Sequence, residues 1–328
     1  MRFNRRATSA LAALAATALV TTGCGALAED SGDDGDLRLA AGFYPLAWVA
    51  ERVAGEHATI TTLSQPGQDA HDAELTITAR AAISDADLVL LNGGFQPAVD
   101  VAAEQSSGEV LDAAKVLELR EVVDHEDHAH AEDDHADAND HHAEDDHADD
   151  HEGHDHGDVD PHFWLDPLLM ADLGDELATS LGQVSPDLAD EFTAGAEALR
   201  AELEQLDADY TEGLAGCSRR TVVVSHDAFG YLSRYGLEFE PIAGLSPGAE
   251  PTPADLARLR DLIRTEGVTT VFNEVLAPVE LAESLAKGAG VTTAVLDPIE
   301  GLGEEPGDAD YLSLMRDNLA ALTKANGC

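Results

Sequence analysis

Ten of the chain's fourteen histidines lie in one tract, His125, His128, His130, His135, His141, His142, His147, His151, His154 and His156. Nearly every residue between them is Asp or Glu, and no Lys or Arg interrupts them. Imidazole nitrogen and carboxylate oxygen are both ligands for zinc-like divalent ions, so the tract predicts weak metal binding at many overlapping positions. It holds no apolar residue larger than Ala before Val159, cannot bury a core of its own, and is expected to be a disordered loop over 124–158. A tract of this kind is an accessory to a metal site, so a shaped site has to come from elsewhere.

Four residues outside the tract share one kind of location, the end of an expected strand or the loop after it. They are His71 in Asp69-Ala70-His71, His162 in Asp160-Pro161-His162-Phe163-Trp164-Leu165-Asp166-Pro167, His226 in Ser225-His226-Asp227-Ala228-Phe229-Gly230-Tyr231, and Asp297 in Val295-Leu296-Asp297-Pro298. Ligands of open α/β sheets bind beyond the carboxyl ends of strands. Three imidazoles and one carboxylate make a closed four-coordinate set suited to zinc. Each residue also has an ordinary reading. A single His after a strand is more often a hydrogen-bonded polar residue than a ligand, and Asp before Pro is commonly a turn residue.

The elements expected to hold these residues alternate. Strand patterns at 37–42, 58–63, 87–91 and 116–119 are interleaved with helical patterns at 44–54, 75–85 and 96–105. A long, mostly helical stretch covers 167–181 and 186–214. Strands at 220–225, 238–242, 269–272 and 291–296 then alternate with helical segments at 228–235, 253–266, 279–288 and 308–326. This spacing predicts an α/β fold with two lobes, each a parallel sheet flanked by helices, joined by one long rigid helix. The expected divisions are a leader at 1–23, a tether at 24–36, an N-terminal lobe at 37–183, a linker helix at 184–214 and a C-terminal lobe at 215–328. Phe163 and Trp164 are expected to wall the cleft, and Phe229 and Tyr231 to belong to lobe core.

The chain's 328 residues suffice for two cores. A formal charge of −47 argues against nucleic acid or an anionic membrane surface as partner and suits a protein that attracts cations. Arg2, Arg5 and Arg6 followed by the apolar run 10–20 fit a secretory leader too short to remain a membrane span. The leader ends in Thr21-Thr22-Gly23-Cys24, which resembles a bacterial lipoprotein cleavage box and makes Cys24 the expected lipidation site; the alternative is an ordinary secreted protein. Cys217 and Cys328 form an even pair in an oxidising compartment and are expected to be bonded.

Three motifs carry a wider resemblance. Asp160–Pro167, Ser225–Tyr231 and, more loosely, the Asp69–His71 loop resemble the solute-binding lipoproteins of zinc and manganese ABC importers. The resemblance extends from about Leu37 to the C-terminus. It implies an exported, monomeric, lipid-anchored carrier that holds an ion between two lobes and delivers it to a membrane permease, with no catalytic role. Zinc members of this family resemble the chain in having His at the His226 position, where manganese members tend to have a carboxylate. The implied cargo is therefore Zn²⁺ ahead of Mn²⁺. The resemblance leaves Asp69, Asp72 or a water as competitors of Asp297 for the fourth place, and Glu274 as a capping or cleft-rim acid. Alternatives are a manganese or iron carrier of the same family, and an adhesin or zinc buffer without transport. A zinc hydrolase is disfavoured because the chain lacks HExxH and a closed four-ligand set leaves no place for an activated water.

Overall fold

The computed structural model describes residues 37–121, 159–245, 247–276, 278–303 and 307–328. The leader, the Cys24 box, the tether and the His125–His156 tract lie outside the described residues.

The first sheet is built from β1 (Leu37–Ala41), β2 (Ala58–Thr62), β3 (Leu88–Leu91) and β4 (Glu109–Asp112), in the order β2-β1-β3-β4. All of its pairings are parallel. The second sheet repeats the plan with β5 (Thr221–Val224), β6 (Glu238–Pro241), β7 (Thr270–Asn273) and β8 (Thr292–Val295), in the order β6-β5-β7-β8. Its strands are parallel too. In both sheets the chain reverses its direction of winding between the first and third strands, the place where such sheets open a crevice at their carboxyl ends. The central strands β3 (Leu-Val-Leu-Leu) and β5 (Thr-Val-Val-Val) are buried throughout, as parallel strands covered on both faces should be.

In the first lobe, α1 (Tyr44–Ala54), α2 (Ile77–Asp85), α3 (Pro97–Ala103) and the short α4 (Ala113–Val116) connect the strands. The fourth strand departs from the sequence expectation. Residues 116–119 are not a strand; β4 lies earlier, at Glu109–Asp112. Only Val110 and Leu111 supply apolar character there, between two acids, so the pattern is too short to be seen without its partner β3. Asp112 ends the strand by accepting a hydrogen bond from Ala114 N at 3.1 Å, which starts α4. Beyond α4 the chain makes one antiparallel bridge, Glu121 with Val159.

Two long helices follow, α5 (Pro167–Val184) and α6 (Ala189–Leu214), separated by a 3-10 turn at Pro186–Leu188. Asp166 caps α5 through Leu168 N, and Pro167 at the first helical position fits the fixed φ of a helix start. At 26 residues, α6 is about 39 Å long at the usual rise. Its expected start at 184 moves to 189 because Pro186 forces a break after Ser185. The second lobe adds α7 (Pro253–Glu266), α8 (Glu280–Ala289) and α9 (Tyr311–Asn326). The segment expected to be helical at 228–235 is a 3-10 helix, Phe229–Tyr235. Thr252 caps α7 in a reciprocal box with Asp255, and Asp310 with Ser313 does the same for α9.

One hydrophobic core runs through both lobes. It joins Leu46, Val49 and Val53 of α1, Leu173 and Leu177 of α5, Leu199, Leu203, Leu206 and Tyr210 of α6, and Met315 and Leu322 of α9. Smaller clusters lie on the outer faces of the sheets, around Ile83, Val89 and Val99 in one lobe and Leu259, Val271 and Leu285 in the other. Helix α6 meets both lobes. At Gly195 a Cβ would sit 2.5 Å from Val53 O, so the close approach to α1 requires glycine. Arg52 of α1 pairs with Glu202 of α6. At the other end, Tyr210 donates to Met315 O at 2.6 Å. The Cys217–Cys328 disulfide ties the start of the second lobe to the end of α9. Among the described residues no helix is long and apolar enough to cross a membrane.

Candidate metal centre

His71, His162, His226 and Glu300 present one ligand atom each, and these four atoms all lie within 4.8 Å of one another. His71 comes from the loop after β2, His226 from the loop after β5, and Glu300 from the loop after β8. His162 is reached through the segment that enters α5. Two residues thus come from each lobe, and all four side chains are buried: His162 and His226 are 0% exposed, Glu300 4% and His71 8%.

The inward-facing atoms are three Nε2 nitrogens and one carboxylate oxygen. Glu300 Oε1 lies 3.3 Å from His71 Nε2, 3.4 Å from His226 Nε2 and 3.6 Å from His162 Nε2. His71 and His162 bring their Nε2 atoms to 3.4 Å. Glu300 Oε1 and His226 Nε2 have no well-formed hydrogen bond among the described residues, which is costly for buried polar atoms unless something else coordinates them. Three borderline nitrogens and one oxygen around a common point fit a single tetrahedral dication.

The outward ring nitrogens explain why the rings face this way. His162 Nδ1 is 2.8 Å from Asp160 Oδ1, which also accepts from His162 N at 3.0 Å. His226 Nδ1 is 2.7 Å from Glu274 Oε1. A carboxylate on Nδ1 holds the proton there and leaves Nε2 as the free donor pair. The Asp160-Pro161-His162 motif therefore contains a ligand candidate and its orienting acid two residues apart. Asp160 is itself held by Arg120 Nη1 at 3.5 Å, and Tyr231 donates to its backbone carbonyl at 2.8 Å. Gly230 leaves room for this arrangement, since a Cβ there would collide with Arg120 Nη1 and sit 2.7 Å from Asp160 Oδ2. Glu274 does not cap the following helix, whose cap is Val279. It is buried at 4% exposure and bound to His226.

Asp297 is not in the cluster. Its Oδ1 accepts from Ile299 N at 2.8 Å, and Asn318 Oδ1 accepts from Asp297 N at 2.8 Å. It acts as the turn residue that folds the loop and delivers Glu300, three positions on. Ile299 has φ 58°, a positive value that is the sole non-glycine case among the described residues. A β-branched side chain in that conformation is strained, and such strain persists where the surroundings over-determine it. Here Ile299 is fully buried, and Trp164 Nε1 donates to Pro298 O at 2.7 Å. Asp69 accepts from His71 N at 2.9 Å and holds the first loop in the same way.

The electrostatics follow from burial and proximity. Burial works against the Glu300 carboxylate, but the three imidazoles outweigh it and hold Glu300 well below its ordinary value. Burial pulls His226 down, yet Glu274 and Glu300 lift it to about 10. His162 is raised by Asp160 and Glu300 against the same opposing burial. Asp297 is pushed up to about 6, first by burial and then by the charges of Glu300 and Glu274. Without a cation in the centre, a proton on His226 helps to balance the carboxylates, and a dication would take its place. Aromatic rings line the surroundings: Phe95 packs against His71 at 4.6 Å between centroids and Trp164 against His162 at 5.2 Å. Phe163 and Trp164 are fully buried at the join between lobes.

Paired parallel sheets with a nitrogen-rich donor set between them define a two-lobed, cleft-type binding protein. The chain belongs to the family described as zinc-uptake complex component A, periplasmic, which it matches over residues 39–325. It is 34% identical to the zinc-binding lipoprotein AdcA of Streptococcus pneumoniae over 88% of its own length and 56% of that protein's. The chain thus spans about half the length of the AdcA relatives it matches. It is 32% identical to the high-affinity zinc uptake system protein ZnuA of Bacillus subtilis over 96% of both chains. The crystal structure of Zn(II)-bound AdcA from S. pneumoniae superposes with a TM-score of 0.70 at 30% identity, covering 90% of this chain and 58% of that one.

Proposed function

We propose that the chain is an extracytoplasmic zinc-binding protein that captures Zn²⁺ between its lobes and delivers it to an ABC permease. The observation that carries this reading is the buried cluster of three Nε2 atoms and the Glu300 carboxylate, each within 4.8 Å of the others. Nitrogen-rich coordination favours zinc over manganese, which prefers oxygen donors. The names of the AdcA and ZnuA relatives support zinc as cargo and uptake as context. Four protein ligands leave no open position for an activated water, which supports a carrier over a hydrolase. Export, a lipid anchor through Cys24 and a monomeric carrier complete the proposal.

The proposed ligands are His71, His162, His226 and Glu300, with Asp297 replaced by Glu300 in the set expected from sequence. The test is zinc affinity by chelator competition on wild type, His226→Ala, Glu300→Gln and Asp297→Asn. Sharing roughly 10–16 kcal/mol among four ligands gives about 3 kcal/mol each, so Glu300→Gln should weaken binding about a hundredfold. A loss at Asp297→Asn as large as that at Glu300→Gln would return Asp297 to the ligand set. Unchanged tight binding in His226→Ala, or preferential retention of Mn²⁺ by wild type, would overturn the reading.

A further inference from the structure

The buried centre poses a transport problem. A zinc ion arrives hydrated and must reach four side chains that are at most 8% exposed. One narrow crevice leads to a ligand candidate. It has a volume of about 10 Å³, and its walls carry four carboxylates, Asp69, Glu274, Asp297 and Glu300, with Leu276 and Pro298 as apolar walls. That space is about one water-sized sphere, too small for a hydrated ion. An ion passing through must therefore shed water as it moves, and only oxygen ligands on the walls can replace what it loses.

The four acids are not equivalent. Glu274 is committed to His226 and Glu300 faces the three imidazoles. Glu300 lines the crevice and also turns its buried Oε1 toward the three imidazoles, so it belongs to both the crevice and the centre. Asp69 and Asp297 are half-buried, one from each lobe. Each uses Oδ1 to hold its own loop, through His71 N and Ile299 N, and each is fixed in place by that bond. The loops that carry them also touch across the cleft: Gly67 N donates to Leu302 O at 2.8 Å.

We infer that this crevice is the path of the ion into and out of the centre, and that Asp69 and Asp297 are its transient oxygen ligands, stripping water from the cation and handing it to Glu300. The inference rests on the zinc-carrier reading. It assigns the two acids a kinetic role: they lower the barrier to passage and lie outside the final coordination set. Along the crevice only metal–oxygen bonds are made and broken, and each water lost by the ion is released to solvent; at the centre each metal–nitrogen bond to a protonated imidazole forms as that N–H proton leaves to solvent.

The test is stopped-flow zinc binding on the full chain, read by tryptophan fluorescence, since Trp164 packs against His162. Asp69→Asn, Asp297→Asn and the double variant each keep an Oδ1 acceptor for the loop hydrogen bond, and circular dichroism checks their fold. Removing two carboxylates from a focusing cleft should cut the association rate of the double variant about tenfold, with a weaker dependence on salt than in wild type. The single variants should fall between. Release into excess chelator should be slowed or unchanged. A wild-type association rate in the double variant would overturn the path. So would an affinity loss carried wholly by faster release, because that would make the acids part of the bound site. Failure of wild type to bind one zinc tightly would sink the carrier proposal instead, so the two failures are distinguishable.

Discussion

At the scale of single residues, the centre is a competition between protons and a dication for the same Nε2 atoms. His226 is raised to about 10 and so carries a proton near neutrality in the metal-free protein, while His162 is shifted in the same direction by Asp160 and Glu300 against the opposing effect of burial. Zinc requires them neutral. Loading should therefore release at least the His226 proton, and apparent affinity should rise with pH by about tenfold per unit through neutrality and fall on acidification. Calorimetry at pH 7.5 in buffers of different ionisation enthalpy measures this directly; zero proton release would contradict the pairing of Glu300 with imidazolium. The same shifts set the pH dependence of metal-free stability. The raised His226 contributes stability that is complete below its ordinary 6.5 and lost as pH rises through about 10. The depressed Glu300 contributes stability present above its ordinary 4.5 and lost as pH falls below that. Metal-free thermal stability should thus peak between these limits. The orienting acids belong to this scale too. Glu274→Gln and Asp160→Asn should each keep one zinc per chain but weaken it about 10–100-fold, as losses of a carboxylate behind a ligating histidine do. Metal content combined with chelator competition separates that outcome from loss of the site.

At the scale of elements, the ligand candidates sit on short loops whose shape is fixed by longer pieces. Helix α6 is the element that relates the two lobes, because its first half packs on α1 and α5 and its second half on α9. At Gly195 it passes so near the Val53 carbonyl that an added Cβ would sit 2.5 Å from that oxygen. Gly195→Ala forces a shift of α6 against α1 and should destabilise the fold by about 1–3 kcal/mol, the usual cost of overpacking. Denaturant unfolding of the metal-free chain checks the magnitude, and an unchanged midpoint would show that the helices can separate freely. The loop after β8 is the second such element. Asp297 turns it, Trp164 of the first lobe holds Pro298, and the strained Ile299 sets the direction of Glu300.

At the scale of the whole molecule, one continuous core passes from lobe to lobe through α5, α6 and α9, with Trp164 and Tyr311 bridging the cleft floor. Tyr311 donates to Trp164 O at 2.5 Å. Shared buried surface of this kind opposes large hinge closure, whose hinges are normally a few exposed loop residues. Small-angle scattering should show little change in radius of gyration between metal-free and zinc-loaded protein; a large compaction on loading would overturn a rigid frame. The acidic surface of a chain carrying −47 attracts cations at a distance, while selection among them belongs to the small nitrogen-rich centre.

Much of this was legible in the sequence because the signals are local. Alternating patterns gave seven of the strands near their observed places, Thr252-Pro253 marked the start of α7, and the motifs around His162 and His226 pointed to the cleft. These depend on periodicity, capping chemistry and turn residues, all within a few positions of one another. The fourth strand at Glu109–Asp112 was hidden because its two apolar residues acquire meaning only beside β3. The placing of Glu300 rather than Asp297 beside the three histidines has the same origin. Both are acids in one loop after one strand, and sequence position favours the first. Which carboxylate faces the three imidazoles depends on a single backbone reversal at Ile299, next to Pro298, whose carbonyl is held by a tryptophan 134 residues before it. The residue types determined that a nitrogen-rich metal centre could exist between two α/β lobes. Only the packing of one lobe's loop on the other's aromatic wall decided which acid faces the three imidazoles, because that choice is made by long-range contacts that leave no periodic trace in the chain.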